Sequence, residues 1–212
     1  MSLLYYSRAR FIQLLAPLLT RSNLPGRVIS VYAAGMESSG KFFPSDLSLR
    51  DSNHYSFANC RAHVVHLKTM MFEHFAKQYE GKLALVHVYP GLVITPAYGA
   101  DYHPWWFKLA WKCVKPLVKA FVAISPEEIA QRVLFLASDK FPAKGGNEKA
   151  YAVAKSTDGS MGSGAYAVKW DGEAYDVQKA YMDLREDGFE AKVVEHTTRA
   201  FEAIDAGSLF KD

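Results

Sequence analysis

The sequence predicts an α/β chain in which a small parallel sheet of about three strands is flanked by helices. Three observations carry that expectation. Residues 27–33 (RVISVYA) and 82–90 (KLALVHVYP) are apolar, β-branched runs of strand length closed by glycine turns, and 164–170 (GAYAVKW) alternates as a strand does. Between them lie longer stretches with helical apolar spacing. Parallel neighbours need a crossover, usually helical, so strand, helix, strand, helix, strand reads as one parallel sheet.

Taken in order, residues 5–20 predict a helix whose apolar face is Phe11, Leu14, Leu15 and Leu18. Asn23-Leu24-Pro25-Gly26 breaks it ahead of the first strand. Residues 36–53 lack a sustained period and read as a loop. A long helix follows over 55–79, with Ala58, Ala62, Val65, Met70, Phe72 and Phe75 as its apolar positions, and Gly81 ends it. The strand 82–90 closes in Pro90-Gly91, which forces a turn at its carboxyl end. A helix-rich region spans 104–123. Ser125-Pro126-Glu127-Glu128 is a helix start, because serine caps free amides, proline is preset at the first position and Glu128 completes a capping box. That helix runs to about 138. Residues 141–163 turn to Gly, Lys, Ser and Asp and read as an excursion, and 188–204 form a last amphipathic helix.

Composition bounds the function classes. With 212 residues, half of them hydrophobic, the chain supports one domain over 1–212. A formal charge of +3 without a dense Lys/Arg block gives no footprint for nucleic acid. The two cysteines, Cys60 and Cys113, have no metal or disulfide spacing, which fits a reducing, cytoplasmic setting. No apolar run reaches the length of a spanning helix, and membrane association is not expected. In a parallel sheet ligands collect at the carboxyl ends of the strands, and that edge presents Tyr32 to Gly35, the 90–95 turn and Tyr55.

At these residues the chain resembles the C-terminal half of a short-chain dehydrogenase/reductase, of a divergent fungal branch often found near secondary-metabolite enzymes. Pro90-Gly91-Leu92-Val93-Ile94-Thr95 is similar to the family's Pro-Gly-x-Val-x-Thr turn, the stretch 126–139 matches its late helix, and Tyr55-Ser56 falls where its catalytic tyrosine opens the long helix. The resemblance implies a partial Rossmann-like fold. It also implies an NAD(P)-dependent oxidoreductase acting on an apolar carbonyl or alcohol, with Pro90, Gly91, Val93 and Thr95 at the nicotinamide carboxamide. Tyr55 would be the acid. One helical turn on, the family's lysine is replaced by Asn59, whose amide can hydrogen-bond ribose or phenol but carries no charge; Arg61 and His63 are the nearest substitutes. The family's serine aligns at Tyr32, with Ser30 two residues earlier on the same strand face.

No Thr-Gly-x-x-x-Gly-x-Gly turn precedes residue 26, so the chain is expected to start at the family's fourth helix and to bind dinucleotide poorly. Gly159, Gly162 and Gly164 have a similar spacing but precede a strand, where a phosphate loop must follow one. This leaves two other readings open: a cofactor-independent isomerase, cyclase or binding protein for a hydrophobic metabolite, and a non-catalytic remnant. A homodimer is expected, through the bare edge of 27–33 or the helices 5–20 and 55–79 that the family uses.

Three further patterns have plainer readings. His63 and His66 share a helix face without a third ligand and are expected at the surface or an interface rather than on zinc. Glu37, Asp46 and Asp51 read as solvated loop charges. Residues 104–123 align Lys108, Lys112, Lys115 and Lys119 along one face, with tryptophans and aliphatics on the remainder. The segment reads as a substrate lid, divided in two by Pro116, in preference to a helix lying on a membrane.

Overall fold

In the computed structural model, which describes residues 1–101, 103–146 and 153–211, three parallel strands form one sheet in the order β1-β2-β3. They are β1 (Gly26–Val31), β2 (Leu83–Val88) and β3 (Ala165–Val168). Gly26 pairs with Leu83 through to Val31 with Val88, and Leu85 pairs with Ala165 through to Val88 with Val168. The architecture is that of a partial Rossmann-like sheet. β2 lies in the middle and is buried at all six positions, which accounts for its unbroken apolar run.

The helices are α1 (Ser7–Leu19), preceded by a π-helical turn at Ser2–Tyr6, then α2 (Phe57–Gln78), α3 (Trp105–Phe121), α4 (Pro126–Phe135), α5 (Gln178–Glu186) and α6 (Phe189–Asp205). Alternation along the strands divides the core. Leu83, Leu85, Ala165 and Ala167 face α2, meeting Val64, Leu67, Met70 and Met71 together with Tyr5, Ile12, Phe189 and Val193. Val86, Val88, Tyr166 and Val168 face the other way, against Leu136, Phe141 and Ala154.

Several expectations need correction. The large apolar residues expected as the core face of the first helix, Phe11, Leu14, Leu15 and Leu18, are exposed, and Ala9, Ile12 and Ala16 are buried instead. Packing explains the inversion: the side carrying Ala9 lies against Met71 and Phe72 of α2 and Phe201 of α6, while Phe11 and Leu15 border an open groove beside β1. The long helix begins at Phe57 rather than residue 55, because the Ser56 Oγ accepts the Asn59 N–H at 3.0 Å and fixes the first turn there. Pro116 does not divide α3, which is continuous. No residue of that helix is buried, so the carbonyl left free by the missing N–H can meet water. The Ser125 cap is present, its Oγ accepting the Glu128 N–H at 3.1 Å, while the Glu128 side chain turns to Arg132. α5 lies outside the predicted helices, although Val177, Tyr181 and Leu184 recur at helical spacing and pack on the core. The excursion over 141–163 lies partly outside the described residues, at 147–152.

The histidines expected at the surface are in the core. His63 and His66 are both buried, with Phe42 stacked on His66 at 4.2 Å. His63 Nε2 accepts the Phe43 N–H at 2.9 Å, and burial pushes its pKa down to about 4. Its unfolded value is near 6.5, so the unfolded chain takes up the proton first as pH falls. The histidines' contribution to stability is therefore expected to be full above pH 6.5 and to decline between about 6.5 and 4, with His66, also lowered by burial, adding to the slope. A urea midpoint that stays constant from pH 7 to 5 would contradict this. Of the three loop acids, Asp51 is an exposed charge as expected, while Asp46 and Glu37 are anchors. Asp46 accepts the Arg50 N–H at 2.8 Å and meets His54 Nδ1 at 2.8 Å, and Glu37 accepts the Tyr181 hydroxyl at 3.0 Å.

Candidate functional site at the carboxyl ends of β1 and β2

Tyr32 follows β1 directly, and its N–H still donates to the Val88 carbonyl at 2.8 Å, which keeps the residue in line with the strand. Its ring lies parallel to His87 at 6.5 Å, with Lys68 Nζ 5.1 Å and the Arg8 guanidinium 6.0 Å from its centroid. Arg8 donates to Ser30 Oγ at 3.0 Å and to the Val31 carbonyl at 2.8 Å. The structure thus gathers two of the expected residues, Ser30 and Tyr32, among cations. Burial raises the Tyr32 pKa, with Cys60 adding to it, while the positive charges of Arg61 and Arg8 oppose the rise. Such a phenol keeps its proton at neutral pH and has a cation waiting for its anion.

Two side chains beneath this ring have no hydrogen-bond partner among the described residues, Lys68 at Nζ and His87 at Nδ1. Lys68 is only 2% exposed. Burial pushes its pKa down to about 7, with Arg8 contributing. His87 Nε2 accepts the Ala33 N–H at 3.2 Å, and burial, with Lys68 and Arg8, holds the imidazole neutral. Among the described residues Arg8, Arg61 and Lys68 form no ion pair with a carboxylate.

The other expected residues stand apart from this cluster in role. Tyr55 precedes the α2 cap, is 62% exposed, and among the described residues its hydroxyl has no partner. The Asn59 amide is engaged: Oδ1 accepts the Lys41 N–H at 2.9 Å and Nδ2 donates to the His54 carbonyl at 2.8 Å, tying the preceding loop to the helix. The turn holding Pro90, Gly91, Val93 and Thr95 is pinned from one side. Val93 bridges to Ile124, whose N–H donates to the Leu92 carbonyl at 2.9 Å. Gly91 takes φ 72° and leaves no room for a Cβ, which would meet Ile124 at 2.6 Å and Trp170 at 3.2 Å. Thr95 is exposed. A groove of about 480 Å³ runs between α1 and the open edge of β1, bordered by Arg8, Phe11, Leu15, Ile29, Ser30 and Val31; neither Tyr55 nor the turn lines it.

Sequence reasoning missed Arg8, Lys68 and His87. A signal existed for two of them. Lys68 interrupts the apolar face formed by Val64, Leu67, Met71 and Phe72, and His87 interrupts the apolar run of β2. Ionisable residues inside buried patterns mark functional candidates.

No protein-family model matches the chain. Among curated proteins it is 35% identical over 208 residues to the short-chain dehydrogenase/reductase SAT2 of Stachybotrys chartarum, a match covering 96% of this chain and 58% of that protein. The chain is a homologue of fungal short-chain dehydrogenases/reductases. Oxidoreductase AN1596 of Emericella nidulans is 36% identical, with 92% of this chain and 59% of that protein covered. The NmrA-like family domain-containing oxidoreductase notO of an Aspergillus species is 30% identical, over 95% of this chain and 56% of its own length. This short-chain dehydrogenase/reductase homologue thus spans somewhat over half the length of the curated relatives it matches. Among its described residues no helix is long and apolar enough to cross a membrane.

Proposed function

We propose that the chain supplies the substrate-side acid of an NAD(P)-dependent oxidoreductase acting on an apolar carbonyl or alcohol in fungal secondary metabolism. Homology to named fungal oxidoreductases supports the reaction class. The observation that carries the residue assignment is the pair of cations at the Tyr32 ring at the carboxyl end of β1, with Lys68 Nζ 5.1 Å and the Arg8 guanidinium 6.0 Å from its centroid. Tyr32 Oη would donate its proton to the substrate oxygen as negative charge develops there, and Arg61 would stabilise the phenolate left behind. Arg61 takes the part expected of a cation near Tyr55, and it serves a different tyrosine.

A dinucleotide is fitted only in part. The 90–95 turn offers backbone to a carboxamide. Among the described residues, however, no helix opens on a glycine turn directly after a strand, the feature that seats a pyrophosphate. The segment bearing Gly159, Gly162 and Gly164 precedes β3 and packs against Gln178, Val153 and Lys144. These residues do not hold a whole dinucleotide. Millimolar affinity for NADPH is the expected calorimetric result, and micromolar binding by this chain would refute it.

At saturating NADPH and with an apolar ketone, Tyr32→Phe should lower kcat by about 10²–10⁴-fold with little change in KM, the range typical of a lost general acid. Tyr55→Phe should stay within a few-fold of the parent. The reverse pattern, or an inactive parent chain at saturation, overturns the assignment.

A further inference from the structure

Helix α3 is attached to the molecule by a narrow strip. Trp111 stacks on Tyr98 at 4.5 Å and Phe107 on His103 at 4.5 Å, while no residue of the helix is buried. The rest of its circumference divides in two. At 100° per residue, Lys108, Lys112, Lys115 and Lys119 fall within an arc of about 60°. Trp105, Trp106, Leu109, Val114, Leu117 and Phe121 occupy a broad apolar arc, which faces solvent: Trp105 is 77% and Phe121 82% exposed.

A lid would turn that arc onto the strand ends, and Pro116 would have to break the helix to let two short pieces fold over them. The helix is unbroken and its packing partner is the Pro96–Gly99 turn. Charge separates the remaining occupants. No acidic residue lies within 104–123, and only Lys108 has a carboxylate partner among the described residues, Asp101 at 3.0 Å. Protein interfaces are depleted in lysine, since each ammonium must be desolvated and ordered. A bilayer surface imposes no such loss, because lysine stems lie along apolar surface while their heads stay among phosphates and water.

We propose that α3 is a peripheral anchor that lies in the plane of an anionic lipid surface, with its Trp, Leu and Phe arc at the acyl boundary and its lysines among the headgroups. The proposal is independent of the oxidoreductase reading and of Tyr32.

Co-sedimentation with vesicles of equimolar phosphatidylcholine and phosphatidylserine, against pure phosphatidylcholine, tests it. The chain should pellet with the anionic vesicles, with its tryptophan emission moved to shorter wavelength, and salt of about 0.5 M should release most of it. Replacing Lys112, Lys115 and Lys119 together by glutamate should weaken partitioning by about a hundredfold or more, given the surface attraction of each charge. Leu117→Glu with Phe121→Glu should abolish it. Since none of the substituted side chains is buried, both variants should keep the parent's circular dichroism and urea midpoint. Equal binding to neutral vesicles, absence of binding, or binding indifferent to both variants would overturn the anchor. So would a dimer in solution that the Leu117/Phe121 variant dissolves while vesicles capture nothing.

Discussion

Glu73→Ala is expected to destabilise the fold by about 3–5 kcal/mol, the range found when one partner of a buried ion pair is removed. Glu73 lies on α2 and is 4% exposed. Its Oε2 accepts Arg185 Nε at 3.1 Å, and its Oε1 accepts both Arg185 Nη2 at 2.6 Å and the Thr157 hydroxyl at 2.7 Å. Arg185 Nη2 donates in turn to the Thr157 carbonyl at 2.9 Å. One carboxylate therefore holds α5 and the segment entering β3 against the central helix. Truncating it leaves a half-buried guanidinium and a buried hydroxyl to find new partners. Glu73→Gln keeps the shape and removes the charge, so its loss should be smaller, about 1–3 kcal/mol. For a chain of this size the alanine variant corresponds to a melting point lower by roughly 10 °C. Urea denaturation giving a loss under about 1 kcal/mol would show that packing alone seats α5.

This network also explains what the sequence left illegible. The strands could be read because apolar runs closed by Pro-Gly or glycine turns have few alternatives, and the Ser125 cap because it acts over three residues. α5 has only nine residues, so the stripe of Val177, Tyr181 and Leu184 spans little more than two turns, and the helix is held by Arg185 to a carboxylate 112 positions away. Apolar periodicity has no access to such a contact. α1 misleads for another reason: its most hydrophobic face and its packed face differ, since the side carrying Ala9, Ile12 and Ala16 is buried while Phe11 and Leu15 border an open groove at β1.

At the site the local part was legible and the distant part was not. Ser30 and Tyr32 follow from strand alternation and from the rule that ligands meet strand ends. The cations around them come from α1 and the middle of α2. Tyr55 and Asn59 were paired on the assumption that the helix opens at residue 55. With the cap at Ser56, the amide of Asn59 becomes part of the loop closure instead.

Lys68→Met is expected to stabilise the protein, by about 1–3 kcal/mol at pH 7, because an unpartnered buried amine is replaced by an apolar chain of similar length. Its surroundings suit methionine, with Tyr5, Ala9, Met71 and Phe72 around a small cavity beside it. The pH dependence identifies the cause. Folded Lys68 has a pKa near 7, whereas an unfolded lysine titrates near 10.4, so between these values the unfolded chain holds the proton that the folded chain has lost. Stability of the parent should then rise with pH from about 7 to 9, by at most about 1.4 kcal/mol per unit, and the variant should lose that slope. Urea midpoints at pH 7 and 9 check both statements. A variant less stable than the parent, with the slope unchanged, would mean that the amine is paired and that the burial argument is wrong. If the gain is found, a stability cost has been kept at a cation 5.1 Å from the Tyr32 ring, which is where a functional charge would be expected to persist against selection for a better-packed core.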